Sequence, residues 1–428
     1  MSTALRTDRY ELTMIDAAMS SGLADRDCVF EVFGRRLPDR RRYGVLAGTG
    51  RLMDLIEDFR FGDAELAWLR DHKVVRPEAL DWLADYRFRG TIRGYREGEL
   101  YFPGSPVLII ESTFAEAVLL ETIVLSTLNF DSAVASAASR MVNAAGGRPL
   151  AEMGSRRTSD GAAVAAARAA YIAGFAATSN LEAGRQWGVP TMGTAAHAFT
   201  LLHDSEEEAF AAQVAALGPG TTLLVDTYDI EQGVETAVRV AGPHLGAVRI
   251  DSGDLPVVVK AVRAQLDRLG ATDTKITVTN DLDEYAIATL AAAPVDSYGV
   301  GTSVVTGSGS PAVGMVFKLV AHRDDDGGWV SVAKRSEAKA TVGGRKVPVR
   351  KLVDGVAVEE TIAVEEDQLP EGRQLLTTYI DRGEFIPEHR GPDGVQAARE
   401  HHRAAIAELP LDALRLSRGE PAIPTVYR

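Results

Sequence analysis

GAVRIDSGD, residues 246–254, starts as an apolar run and ends in one guanidinium and two carboxylates, with Gly253 placed for a sharp turn. Three other segments have the same build: TLLVDTYD at 222–229, KITVTNDLD at 275–283 and DSYGVGTSV at 296–304. Helical stretches separate them, and such alternation predicts parallel βα units. GVPTMGTAAH at 188–197 is expected to form a fifth strand of this kind. Polar groups would then gather at the C-terminal ends of the strands, the face that carries active sites in α/β barrels.

Outward from this block the pattern changes. Residues 10–22 and 46–58 have helical spacing, whereas TIRGY, ELYFPG and VLIIES between Thr91 and Ser112 read as strands. We therefore expect a mixed α/β region over 1–114 and the barrel over 115–310, beginning with a helical run at 115–145. Past Pro311 the alternation stops. Strands are predicted at 314–321, 329–334 and 346–362 and a helix at 394–417, and for the Pro-containing tail EPAIPTVYR both packing and fraying remain open.

The 428 residues, 46% hydrophobic and 25% charged, suit a folded enzyme of two or three units. A net charge of −14 disfavours nucleic acid as a partner, because phosphate backbones need concentrated Lys and Arg. Cys28 is the single cysteine, so no intrachain disulfide and no multi-thiolate zinc site can form. Arg6, Asp8, Arg9 and Glu11 interrupt the N-terminus, which lacks the apolar core of a signal peptide. The Ala-rich stretch Gly161–Thr178 carries Arg168 and reads as a buried helix, not a membrane span. A cytoplasmic protein without a membrane partner is expected.

Taken singly, each motif has a bland reading beside the chemical one. Asp251 and Asp254 could hold ribose hydroxyls or Mg²⁺, yet Asp254 could equally cap the helix at 255–269. Gly299–Ser303 could wrap a phosphate with backbone N–H groups, Thr302 and Ser303 adding hydroxyls, or form an ordinary strand-to-helix turn. His197, among small residues, could be a nucleophile or a structural histidine. Arg156 and Arg157 could grip a carboxylate or phosphate, or face solvent.

Together, TDRYELTM, EMGSRRTSDGAAVAAARAAYIAGFAATSN, GVPTMGTAAHAF, RIDSGDL, TNDLDE and GVGTSVVTG appear in an order and spacing that resembles nicotinate phosphoribosyltransferase, from Thr7 to about Arg350. The resemblance implies the type II phosphoribosyltransferase fold: an irregular α/β barrel with a second α/β domain built from the N-terminal region and from segment 311–428 returning to it. It also implies a homodimer with shared active sites, Tyr10 reaching across to stack on the pyridine ring. The substrates would be nicotinate and 5-phosphoribosyl 1-pyrophosphate, with ATP as co-substrate and Mg²⁺ accompanying the pyrophosphate; number and ligands of the metal stay open.

By the same resemblance His197 is phosphorylated from ATP and Asp251 binds ribose. Arg249 and Arg156 lie near the pyridine ring and phosphates, Thr194 lies in the nicotinate site, and Asn280, Asp281, Gly301 and Thr302 belong to loops receiving the 5-phosphate. Ala198 and the Gly343–Lys346 turn depart from the family's usual residues. Nicotinamide phosphoribosyltransferases place an aspartate where FAATSN has Ser179, and a serine there does not repel a carboxylate. Alternative readings are a nicotinamide enzyme or a non-catalytic nucleotide-binding barrel.

Overall fold

The computed structural model describes residues 2–334, 341–364 and 370–428, which form two compact units: Met1–Ser136 with Ser310–Arg428, and Ala137–Gly309. The helix Glu121–Ala145 runs through the division. By length and composition alone, the helical run Phe114–Ala145 could cross a membrane, but 67% of its apolar window is buried, as in a core helix.

The first unit is built on an antiparallel seven-stranded sheet. Its order is Trp329–Ser331, Met315–Arg323, Asp27–Gly34, Leu108–Thr113, Thr91–Tyr95, Leu376–Asp381 and Glu384–Phe385. Asp27–Gly34 sits between two neighbours and is buried on both faces, which explains its near-continuous apolar run CVFEVF. A four-stranded sheet joins the hairpin Lys346–Val353 and Val356–Val364 to Arg373–Gln374 on one side and Thr425–Tyr427 on the other. The tail therefore packs, as a strand parallel to Val356–Val364.

The second unit carries a parallel six-stranded sheet. Its order is Ala177–Thr178, Leu150–Glu152, Ser297–Val300, Lys275–Val278, Ala247–Ile250 and Thr222–Leu224. This is the expected α/β barrel in half-closed form, with helices between the strands. One strand differs from expectation. Segment 188–197 makes only an isolated parallel bridge, Thr191 to Thr178, beyond the sheet edge. Pro190 removes a ladder donor there.

Local chemistry fixes how each strand hands over to its helix. Asp229, Asp283, Asn180 and Ser205 accept backbone N–H groups of the first turns of the following helices, so these polar residues are caps. Asp254 occupies the N-cap position of Leu255–Arg268, but its side chain makes no capping bond. Gly253, at φ +88°, supplies the left-handed turn that precedes it.

Candidate active site

The C-terminal ends of these strands enclose a cavity of about 550 Å³. Arg156, Ser179, Thr194, Arg249, Asp251, Asn280, Asp281, Gly301 and Thr302 all line it. Gly299 keeps it open: a Cβ at that position would lie 2.6 Å from Thr279 Cγ2 and 2.7 Å from Met153 Sδ. Asp254 is exposed and is not among the lining residues. Tyr10 belongs to the first unit, where it lines a different hollow with Asp8, Glu121 and Thr122 and is 43% exposed.

Arg249 is the best-anchored group in the cavity. Its Nε donates to Thr279 Oγ1 at 2.9 Å, its Nη1 to Thr194 Oγ1 at 3.2 Å and to the Ala195 carbonyl at 3.4 Å. Its Nη2 lies 3.4 Å from Asp251 Oδ1, and the Thr279 hydroxyl donates to that same oxygen. Strand 247–250 and strand 275–278 pair Arg249 with Thr277, so the sheet itself sets the contact two residues further on. The guanidinium is thereby fixed before any ligand arrives, which lowers the entropic cost of binding an anion.

His197 opens the short helix His197–Leu202. Its Nδ1 meets Thr227 Oγ1 at 3.1 Å, while Nε2 faces Asp251 Oδ2 at 3.8 Å and Asp226 Oδ1 at 4.0 Å. Two strand ends, those of Thr222–Leu224 and Ala247–Ile250, thus meet at one imidazole.

Asp226 was not assigned to the site from the sequence. Its side chain is 1% exposed; Oδ2 accepts from the Asp251 N–H at 2.8 Å and the Ser252 hydroxyl at 2.7 Å. Oδ1 is buried and has no hydrogen-bond partner among the described residues. Buried Glu206 Oε1 is in the same condition, and its carboxyl is pushed up by burial and by the charges of Asp226 and Asp229. Unpaired buried carboxylate oxygens are costly, and although neither residue lines the cavity, Asp226 Oδ1 sits on the Nε2 side of His197. TLLVDTYD signalled a functional strand end, but only the fold separates Asp226 from the cap Asp229.

Asn280 and Asp281, directly after Thr279, line the cavity with φ of +119° and +41°. Non-glycine residues adopt such angles only where the surroundings over-determine them. Glu152, buried beneath Ser179, accepts from the Thr178 hydroxyl at 2.6 Å and from the Gly154 N–H; burial pushes its carboxyl up. Among the described residues no group of three or more His, Cys, Asp and Glu side chains gathers around a common metal position. A divalent cation would suit this site as the companion of a polyphosphate substrate, held by one or two carboxylates.

Residues 5–129 match the N-terminal domain of the nicotinate phosphoribosyltransferase family. A nicotinate phosphoribosyltransferase of Mycobacterium tuberculosis is 56% identical over 98% of this chain and 94% of its own length. The Bacillus subtilis enzyme of that name is 37% identical over 81% of this chain and 72% of its own. Among solved structures, human nicotinic acid phosphoribosyltransferase superposes with a TM-score of 0.82 at 26% identity, covering 99% of this chain and 97% of that one.

Proposed function

The chain belongs to the nicotinate phosphoribosyltransferase family, and from that premise we propose that it forms nicotinate mononucleotide and pyrophosphate from nicotinate and 5-phosphoribosyl 1-pyrophosphate, for salvage of pyridine nucleotide in the cytoplasm. The observation that carries this reading is the pairing of Arg249 with Asp251 on the cavity wall, with Asn280, Asp281, Gly301 and Thr302 lining it and His197 Nε2 behind the lining, 3.8 Å from Asp251 Oδ2.

The C1–O bond to pyrophosphate breaks with its electron pair going to the leaving group, and the pyridine nitrogen lone pair forms the new C1–N bond. Asp251 binds the ribose hydroxyls, and its negative charge stabilises the cation developing on the sugar. Arg249 and Arg156 receive the carboxylate of nicotinate and nearby phosphate charge; a Mg²⁺ ion accompanying the diphosphate would be held by a cavity carboxylate such as Asp251 and would supply charge neutralisation for the leaving group. The pyridine nitrogen is already nucleophilic, so positioning replaces a general base.

His197 takes the γ-phosphoryl group of ATP, releasing ADP, and hydrolysis of the phosphohistidine drives the transfer. The carboxylates of Asp226 and Asp251 on the Nε2 side favour the proton there, leaving Nδ1 beside Thr227 as the nucleophile. A second copy completes the site with Tyr10, whose half-exposed ring suits stacking.

The test is to incubate the protein with nicotinate, phosphoribosyl pyrophosphate and Mg²⁺-ATP and follow the mononucleotide by chromatography; no product ends the enzyme reading. With γ-labelled ATP, the wild type should give an acid-labile, base-stable phosphoprotein and His197→Ala should not. Label persisting in that variant returns His197 to a structural or phosphate-binding part.

A further inference from the structure

Asn280–Asp281 and Gly301–Thr302 lie on two separate strand-to-helix connections, yet both line the cavity. Something must hold them in register, since the first pair is strained. Upstream of Asn280 the anchor is Thr279, tied to Arg249, to Asp251 and through its N–H to the Ile250 carbonyl. Downstream it is Glu284, the first residue of the helix Glu284–Thr289 and only 2% exposed. Glu284 Oε1 accepts from Arg140 Nε at 3.1 Å, and Oε2 accepts from the Ser308 hydroxyl at 2.5 Å. Arg140 Nη2 also reaches the Tyr285 hydroxyl at 3.3 Å, so the arginine grips two adjacent residues of the helix.

Ser308 belongs to the other connection. Its N–H donates to the Ser303 carbonyl at 2.6 Å, its φ is +52°, and it follows the helical turn Thr302–Val305. One buried carboxylate therefore fastens the end of both loops, and Arg140 on the long helix supplies its countercharge.

We propose that Glu284, with Arg140 and Ser308, is a positioning unit for the phosphate subsite: it fixes the spacing between the Asn280–Asp281 and Gly301–Thr302 loops, and so sets affinity for the 5-phosphate of the ribosyl substrate. None of the three lines the cavity, so the effect passes through loop geometry. This inference rests on the reading of the cavity as a ribosyl-phosphate site. A shift of about 1 Å in a positioning group can cost up to about 10²-fold.

The experiment compares wild type with Glu284→Gln, which keeps the shape and loses the charge, and with Ser308→Ala, which removes one bond to the second loop. KM for phosphoribosyl pyrophosphate should rise roughly tenfold or more in Glu284→Gln and about threefold in Ser308→Ala, with KM for nicotinate within about twofold. Ser308→Ala keeps the buried ion pair and so preserves the test if Glu284→Gln fails to fold. A part confined to stability would lower the melting temperature or the active fraction and leave both KM values unchanged; that outcome overturns the inference while leaving the enzyme reading intact. Absence of turnover in the wild type overturns the reading itself. Direct titration with ribose 5-phosphate then decides the loop-spacing claim: binding weakened or lost in the variants supports it, and binding equal to that of the wild type, or absent in the wild type itself, rejects it.

Discussion

Arg350 in the first unit and Arg249 in the second both sit against carboxylates, yet the two clusters are finished to different degrees. Arg350 is fully buried and donates to Glu99 at 2.9 Å, to Glu360 at 2.6 Å and to the Leu100 carbonyl at 2.8 Å. The other oxygens of those two acids are taken by Arg373 and His401 for Glu99 and by Tyr95 and Ser105 for Glu360. Burial would raise the Glu99 carboxyl, but the His401 bond and the Arg350 and Arg373 charges outweigh it and hold the group well below the usual carboxylate range. Around Arg249, by contrast, Asp251 is a third exposed, and Asp226 Oδ1, next to it, has no hydrogen-bond partner among the described residues. In the first cluster every carboxylate oxygen is paired, although the Nε atoms of Arg350 and Arg373 have no hydrogen-bond partner among the described residues; a network with its carboxylates satisfied specifies structure, whereas one with a part-exposed carboxylate leaves bonding capacity for a substrate.

Breaking the closed network should have the largest effect. Arg350→Met leaves Glu99 and Glu360 buried without their shared cation and should cost about 3–5 kcal/mol. The denaturant midpoint would show it; a loss under about 1 kcal/mol would mean that the network relaxes and is not a fixed unit.

His402 tests the same unit through pH. Burial pushes its imidazole down to about 4 from an ordinary 6.5, against the pull of its bond to the Gly98 carbonyl. The unfolded chain therefore binds a proton that the folded one refuses. Stability is complete above pH 6.5 and is lost as pH falls from 6.5 to 4, by up to about 3 kcal/mol. His402→Gln should flatten that part of the stability–pH curve, and an unchanged slope would assign the acid sensitivity to other groups.

On the open side, Asp251→Asn should keep the fold and lose about 10²-fold in kcat, because the developing ribosyl cation loses a full negative charge. Activity near wild type would remove Asp251 from the chemistry. The smallest change expected is in selectivity. Ser179→Asp sets a charge beside the nicotinate carboxylate and should move the kcat/KM ratio toward nicotinamide by about tenfold. A constant ratio would show that residue 179 does not face the ring substituent.

Much of this was legible before folding was considered. Strand ends at 222–229, 246–254, 275–283 and 296–304 carry an apolar run and then polar groups, a local pattern that the parallel sheet preserves. Leu150–Glu152 and Ala177–Thr178 are three and two residues long, too short to show a period, and their place in the sheet comes from their neighbours. Segment 188–197 has the composition of a strand end but little ladder, since only Thr191 bridges to the sheet.

The chain order of the motifs determined the fold class and most of the cavity wall, because a strand in a parallel sheet always delivers its C-terminal residues to the same edge. Which carboxylate acts and which merely caps was decided only by tertiary structure. Asp226 and Asp229 are three residues apart in one motif, yet one is buried beside His197 and the other holds the Gln232 N–H at 2.9 Å. The same holds for Glu284, an unremarked acid in TNDLDE until Arg140 and Ser308, 144 and 24 residues away, close on its two oxygens. Side-chain type and spacing are local properties, while the pairing of buried charges depends on distant segments brought within about 3 Å, where hydrogen bonds form.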